Sequence, residues 1–143
     1  MELLFVIGSI GFMAGIAMPL YGRYQERVEV GTGIADMIVI EAAIDRYQYD
    51  RMERSDSLAE VGMGNKVDPW GKAYVSLKLA GNGANGLAGQ RRKHKNLLPI
   101  NTDFDLSSMG EDGMTHAPLT ALASHNDIVR ADNDGYFGLA SKY

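Results

Sequence analysis

Cysteine is absent from this 143-residue chain. Its absence excludes a disulfide framework, a zinc–thiolate site and thiol catalysis, and it suits reducing and oxidising compartments equally. A strong charge imbalance is also lacking. With 14 basic and 18 acidic residues the formal net charge is −4, too mild for a chain that grips a polyanion as a whole. Catalytic signatures are missing too. His94, His116 and His125 have no spacing that suggests a triad or a metal site, and there is no G-x-S-x-G, H-E-x-x-H or phosphate-binding loop. Carboxylates that stand close together fall in turn-like segments with no obvious cleft, so the chain is not expected to be an enzyme. A small exported domain without disulfides needs another staple, such as a metal ion or its neighbours in an assembly.

What the sequence does have is one long apolar run. Leu3 to Leu20 reads LLFVIGSIGFMAGIAMPL, with Ser9 its only polar residue. As a helix it spans roughly 27 Å, close to the ~30 Å of a hydrocarbon core. No basic stretch precedes it and no small-residue cleavage site follows, which argues against a secretory signal peptide. Glu2 stands at its head. That carboxylate either caps the helix start in water, where an acid suits the dipole, or enters the membrane and needs a cationic partner. Gly8, Gly11 and Gly15 permit close helix approach in lipid, and with Pro19 they mark a point where the helix can kink or unwind.

From Tyr21 the pattern becomes amphipathic. Val28, Val30, Ile34, Met37, Ile38, Ile40, Ile44 and Tyr47 recur at helical spacing among charged residues, and no proline intervenes until Pro69. A helix is expected over about 2–53, its apolar stripe docking on a small sheet. Ser55-Asp56-Ser57 reads as a cap opening a short turn. Beyond it, Ala73–Leu79, Asp103–Ser107 and Gly135–Ala140 read as short strands. Asp68-Pro69-Trp70-Gly71 reads as a turn whose tryptophan covers core. Gly81–Gly86 reads as a flexible loop. Arg91–Lys95 reads as a solvated hairpin arm, or else as a contact surface for acidic neighbours or phospholipid head groups; nucleic acid is disfavoured because no aromatic residues interleave the basic ones. The acids of 103–134 are read as loop residues. They are either solvated turn acids or a clamp for a hard cation joining the loop at Asp112 to that at Asp127. Asp132-Asn133-Asp134-Gly135 is not an EF-hand start, since the bidentate glutamate is missing.

Taken together, Glu2-Leu3-Leu4-Phe5-Val6-Ile7, Gly11, Ala14, Ile16-Ala17-Met18-Pro19 and Tyr21 resemble the N-terminal helix of the type IV pilin superfamily. Asp68-Pro69-Trp70-Gly71-Lys72-Ala73-Tyr74, the segment from Asp103 to Gly113, and Asn126-Asp127-Ile128-Val129 resemble the major pseudopilin of type II secretion systems. The resemblance implies an α+β fold: a filament-core helix half over 1–20, an amphipathic half over 21–54, and a C-terminal β domain with calcium-type loops over 55–143. It implies a structural subunit that polymerises with itself into a helical filament. The subunit would be held single-pass in the bacterial inner membrane, its globular domain periplasmic, and would work with an assembly platform and minor pseudopilins. An extracellular pilus-like fibre for adhesion, motility or contact is the alternative, and a membrane-anchored binding module using Arg91–Lys95 a third. Glu2 matches the glutamate that pairs with a neighbouring subunit's terminal amine. Gly11 to Pro19 match the stretch that loses helical structure in filaments. Asp112, Asn126, Asp127 and the backbones of Met109 and Ser124 match the calcium ligands. Family members are cleaved from a leader and methylated at the new N-terminus. Their glutamate stands a few residues further in than Glu2, so a leader and a few mature residues are expected to be missing from this sequence.

Overall fold

The computed structural model describes residues 2–79 and 89–143. The glycine-rich stretch 81–86, read above as a loop, lies outside the described residues. α1 spans Glu2–Arg51 without a break at Pro19. It ends slightly before the expected Glu53, where Met52 turns to φ 54° and leaves the helix. Ser9 does not break the apolar run, because its hydroxyl donates back to the carbonyls of Phe5 and Val6, each at 2.9 Å.

Among the described residues four strands follow: β1 Val75–Lys78, β2 Phe104–Ser108, β3 Ile128–Ala131 and β4 Tyr136–Leu139. They pair antiparallel in chain order, a meander. Val75 faces Ser107, Ser107 faces Val129 and Ile128 faces Leu139, so the register is continuous across the sheet. The β3–β4 hairpin turns through Asp132 and Asn133 at φ 56° and 48°. Both residue types tolerate the left-handed region at modest cost.

The second half of α1 lies on one face of this sheet. Met37, Ile40 and Ile44 recur three and four apart and are fully buried against Leu58, Tyr74, Phe104, Leu106 and Ile128. Burial of such side chains stabilises by about 1.5–3 kcal/mol each. Phe137 and Leu139 pack at the edge of this cluster, as does Trp70. The stripe is narrower than the sequence suggested, for Val28 and Ile38 are half exposed. Gly33 lies where the helix touches β3, and a Cβ there would overlap the tip of Ile128.

The other face is covered too, and this corrects two readings. Val129 and Ala131 point into a second cluster with Ile100, Leu119 and Ala140. A strand buried on both faces shows no polar alternation, so Ile128–Ala131 did not read as a strand. Arg91–Lys95 is not a solvated arm throughout. Lys93 and His94 form bridges with Pro118 and Leu97, and Arg92 is buried.

Candidate functional site

Two regions hold the residues that the sequence singles out as site candidates. The first is the N-terminal half of α1. It is long and apolar enough to cross a membrane, and none of that stretch is buried. Leu3, Phe5 and Phe12 are 77%, 80% and 72% exposed. Glu2, Gly11 and Pro19 lie on this uncovered rod, and the sheet touches none of them.

The second region joins two segments far apart in sequence. Asp68 is buried, and its carboxylate accepts from the backbone N–H groups of Trp70 (3.1 Å) and Lys72 (2.8 Å) and from the Ser108 hydroxyl (2.6 Å). Ser108 Oγ in turn accepts from the Gly110 N–H at 3.1 Å. The Lys72 ammonium donates to the carbonyls of Gly110 (2.8 Å) and Glu111 (2.5 Å). The turn at 68–72 and the turn after β2 are thus one hydrogen-bonded unit. Trp70 seals it against the helix, its indole N–H donating to Glu29 Oε2 at 3.1 Å.

The loop beyond Gly110 meets the segment before β3. Gly110, at φ 63°, passes so close to Asn126 that a Cβ would overlap the Asn126 backbone. Asp112 Oδ1 accepts from the Met114 N–H at 2.9 Å. That bond, the Asn126 amide and the nearby Lys72 charge hold the exposed Asp112 carboxyl below the usual range. Asp127 is fully buried. Its Oδ2 accepts from Arg92 Nη1 at 3.1 Å and from the Thr115 hydroxyl. Burial nevertheless raises its pKa, and the charge of Asp112 raises it further. The Ser124 carbonyl accepts from the Asp127 N–H at 3.2 Å, and Met109 is half-buried at the head of the loop.

Of the expected calcium ligands, Asp112, Asn126 and Asp127 therefore belong to one junction. Asn126 Oδ1 and Asp127 Oδ1 are buried and accept no hydrogen bond. Orphaned buried acceptors are costly unless a donor or a cation reaches them. No cluster of three or more histidine, aspartate or glutamate side chains forms a metal site among the described residues. Calcium sites draw amide and backbone carbonyl oxygens as well as carboxylates, and the two orphaned oxygens fit that donor chemistry.

Sequence reasoning placed Asp68 and Lys72 in a motif and Arg92 in a basic cluster without their partners, and it missed Arg130 altogether. The Arg130 side chain is 1% exposed. Its Nε donates to Glu41 Oε1 on α1 at 2.5 Å, while Nη1 and Nη2 donate to Asp103 at 2.9 and 2.7 Å. Nη2 also meets Asp134, and the guanidinium lies 4.0 Å over the Phe104 ring. The available signal was an arginine inside the apolar Ile128–Ala131 segment, which demands acidic partners elsewhere.

A comparison with known proteins finds the type IV major fimbrial protein FimA of Dichelobacter nodosus. It is 28% identical over 133 residues, covering 91% of this chain and 76% of the relative. The chain fits the type IV pilin superfamily. The uncovered apolar helix and the four-stranded sheet docked on its second half are the pilin-like features. No family model and no solved structure matches the chain.

Proposed function

We propose that this pilin is the major pseudopilin of a type II protein secretion system, a subunit that polymerises into a helical filament. The observation that carries the reading is the bare apolar half of α1. A surface of this kind, tens of ångströms long, requires lipid or other apolar helices around it. In the subunit it lies in the bacterial inner membrane with the globular domain in the periplasm. In the filament, copies of the same helix replace the lipid. Pseudopilin character is supported by the unit joining 68–72 to the turn after β2, since those residues carry the likeness to that branch. An assembly platform and minor pseudopilins are the further partners. The alternative is an extracellular pilus-like fibre, favoured by the description of the relative as a major fimbrial protein.

Within the filament Glu2 pairs with the terminal amine of a neighbouring copy, which removes the cost of a lone carboxylate among apolar helices. Gly11 to Pro19 is the stretch able to unwind there, where glycine and proline make the helix weakest. Electron microscopy of sheared surface and envelope fractions tests this reading. Assembled fibres are expected in the parent strain and none in a Glu2→Ala strain. Envelope-confined filaments whose deletion stops secretion fit the pseudopilin. Long surface fibres with intact secretion overturn it in favour of the pilus.

Calcium is the proposed structural ion of the second region. Asp112, Asn126, Asp127 and the backbones of Met109 and Ser124 would hold it. When bound it supplies a divalent charge that ties the loop after β2 to the segment before β3. An ion that binds only the native state stabilises by mass action, about 2.7 kcal/mol at a hundredfold excess over Kd. Calcium is therefore expected to raise the melting temperature of the full chain in micelles, and Asp112→Ala to remove most of the gain. A chelator that leaves the melting curve unmoved would remove the metal from this account.

A further inference from the structure

A groove of about 650 Å³ opens between α1 and the chain's C-terminal segment, and neither the filament helix nor the calcium loops account for it. Arg23, Arg27, Val30, Gly31 and Ile34 form its helix side, and Leu139, Ser141 and Lys142 its other wall. Arg23 and Arg27 are one helical turn apart, so both guanidinium groups lie on the groove face. Neither they nor Lys142 makes an ion pair or side-chain hydrogen bond within the described residues. Glu26 is the one acid among the lining residues, against three cations. Gly31 keeps the floor open, since a Cβ there would meet nothing within 4 Å.

The groove's height above the membrane decides its occupant. The apolar run ends at Leu20. Arg23 and Arg27 follow roughly 5 and 10 Å further along the axis. The head-group layer is about 5–7 Å thick on each side of the hydrocarbon core, so the mouth of the groove sits in it and just above it. Tyr21 and Tyr24 are both 66% exposed at the same level, where amphipathic rings anchor at the interface.

We infer that this groove holds the head group of one anionic phospholipid while the subunit waits in the membrane. Arg23, Arg27 and Lys142 bind the phosphodiester, and Glu26 accepts from the hydroxyls of a glycerol head group. The inference rests on the reading of Leu3–Leu20 as membrane-spanning. Its consequence is a fixed seat for the globular domain on the bilayer, released when the subunit is drawn into a filament.

The test uses the full chain in nanodiscs of phosphatidylcholine with a minority of phosphatidylglycerol, ejected into a mass spectrometer that counts retained lipids. One phosphatidylglycerol per chain is expected, enriched over its share in the disc by roughly fivefold for each basic side chain engaged. Arg27→Gln with Lys142→Gln should abolish the enrichment. Gly31→Leu should do the same by filling the groove with no charge changed, its Cβ meeting nothing within 4 Å. Arg46→Gln, on an exposed stretch of α1 further from the membrane, should leave it intact. Retention in proportion to disc composition, or enrichment unchanged in the two groove variants, overturns the proposal. So does displacement of the lipid by millimolar inorganic phosphate, or a Lys142 crosslink to a second copy in place of retained lipid. A chain that fails to enter nanodiscs overturns the membrane-spanning reading as well.

Discussion

Replacing Arg130 with methionine is expected to lower the stability of the globular domain by about 3–5 kcal/mol, the range found when one member of a buried ion network is removed. Methionine keeps much of the volume, so the loss reports the charge and not a cavity. Three carboxylates surround the one guanidinium: Glu41 from the helix, Asp103 ahead of β2 and Asp134 in the β3–β4 turn. Asp103 has a second cation in Arg54, 3.0 Å away, and its pKa is lowered despite the cost of its burial. Glu41 has no such help. Burial, reinforced by Asp134, pushes its pKa from 4.5 up to about 7 against the pull of Arg130. The pH dependence follows. Because its folded-state pKa lies above the unfolded value, the contribution of Glu41 is complete below about 4.5 and is lost as pH rises through about 7. Asp105 and Asp127, both raised by burial, add slope of the same sign. Asp103 acts in reverse, its contribution present above its ordinary pKa of 3.8 and lost under stronger acid. Melting temperature should therefore fall from pH 5 to pH 8, and Glu41→Gln should flatten that slope. A Glu41→Gln chain with the parent slope would mean that the network does not titrate there.

The legible parts of this fold were those whose signal is local. The helix announced itself because every position of Leu3–Leu20 except Ser9 is apolar and because Met37, Ile40 and Ile44 repeat at helical spacing. Strand β1 showed alternation, β4 lay within an aromatic-containing stretch bounded by turn residues, and the residues around β2 belonged to a recognisable motif. β3 failed the same test because both of its faces are covered, one by α1 and the other by the segments around Ile100 and Leu119. Its only irregular residue, Arg130, is the residue that matters most. Charge runs misled for a related reason. Arg91–Lys95 looks like a solvated stretch, yet Arg92 reaches the carbonyl of His116 (2.9 Å), Ser107 (2.9 Å) and Asp127 (3.1 Å), partners that only tertiary structure supplies. The loop acids divide similarly: Asp112 stays at the surface, while Asp127 is drawn inside by Arg92. Sequence spacing names the junction but not which of its oxygens are already engaged.

Gly110 supports the sharpest test of that junction. It sits at φ 63°, where a side chain costs about 1–2 kcal/mol in an ordinary residue. A Cβ would also overlap the backbone of Asn126, which has no free end to move aside. Overpacking of this kind adds about 1–3 kcal/mol. Gly110→Ala is therefore expected to destabilise the chain by about 2–5 kcal/mol, the sum of the two effects. Gly62 separates them, since it has φ 74° with nothing within 4 Å of its would-be Cβ. Gly62→Ala should cost only the conformational part, about 1–2 kcal/mol. The difference in urea midpoint between the two variants measures how tightly the turn after β2 is pressed onto Asn126. Because that contact also sets the distance from Asp112 to the orphaned oxygens of Asn126 and Asp127, Gly110→Ala should lose the calcium-dependent gain in melting temperature and Gly62→Ala should keep it. Equal losses in the two variants would mean that the loop is free to move away. The pairing of Asp112 with Asn126 would then be no fixed feature of the fold, and the case for a cation there would rest on composition alone.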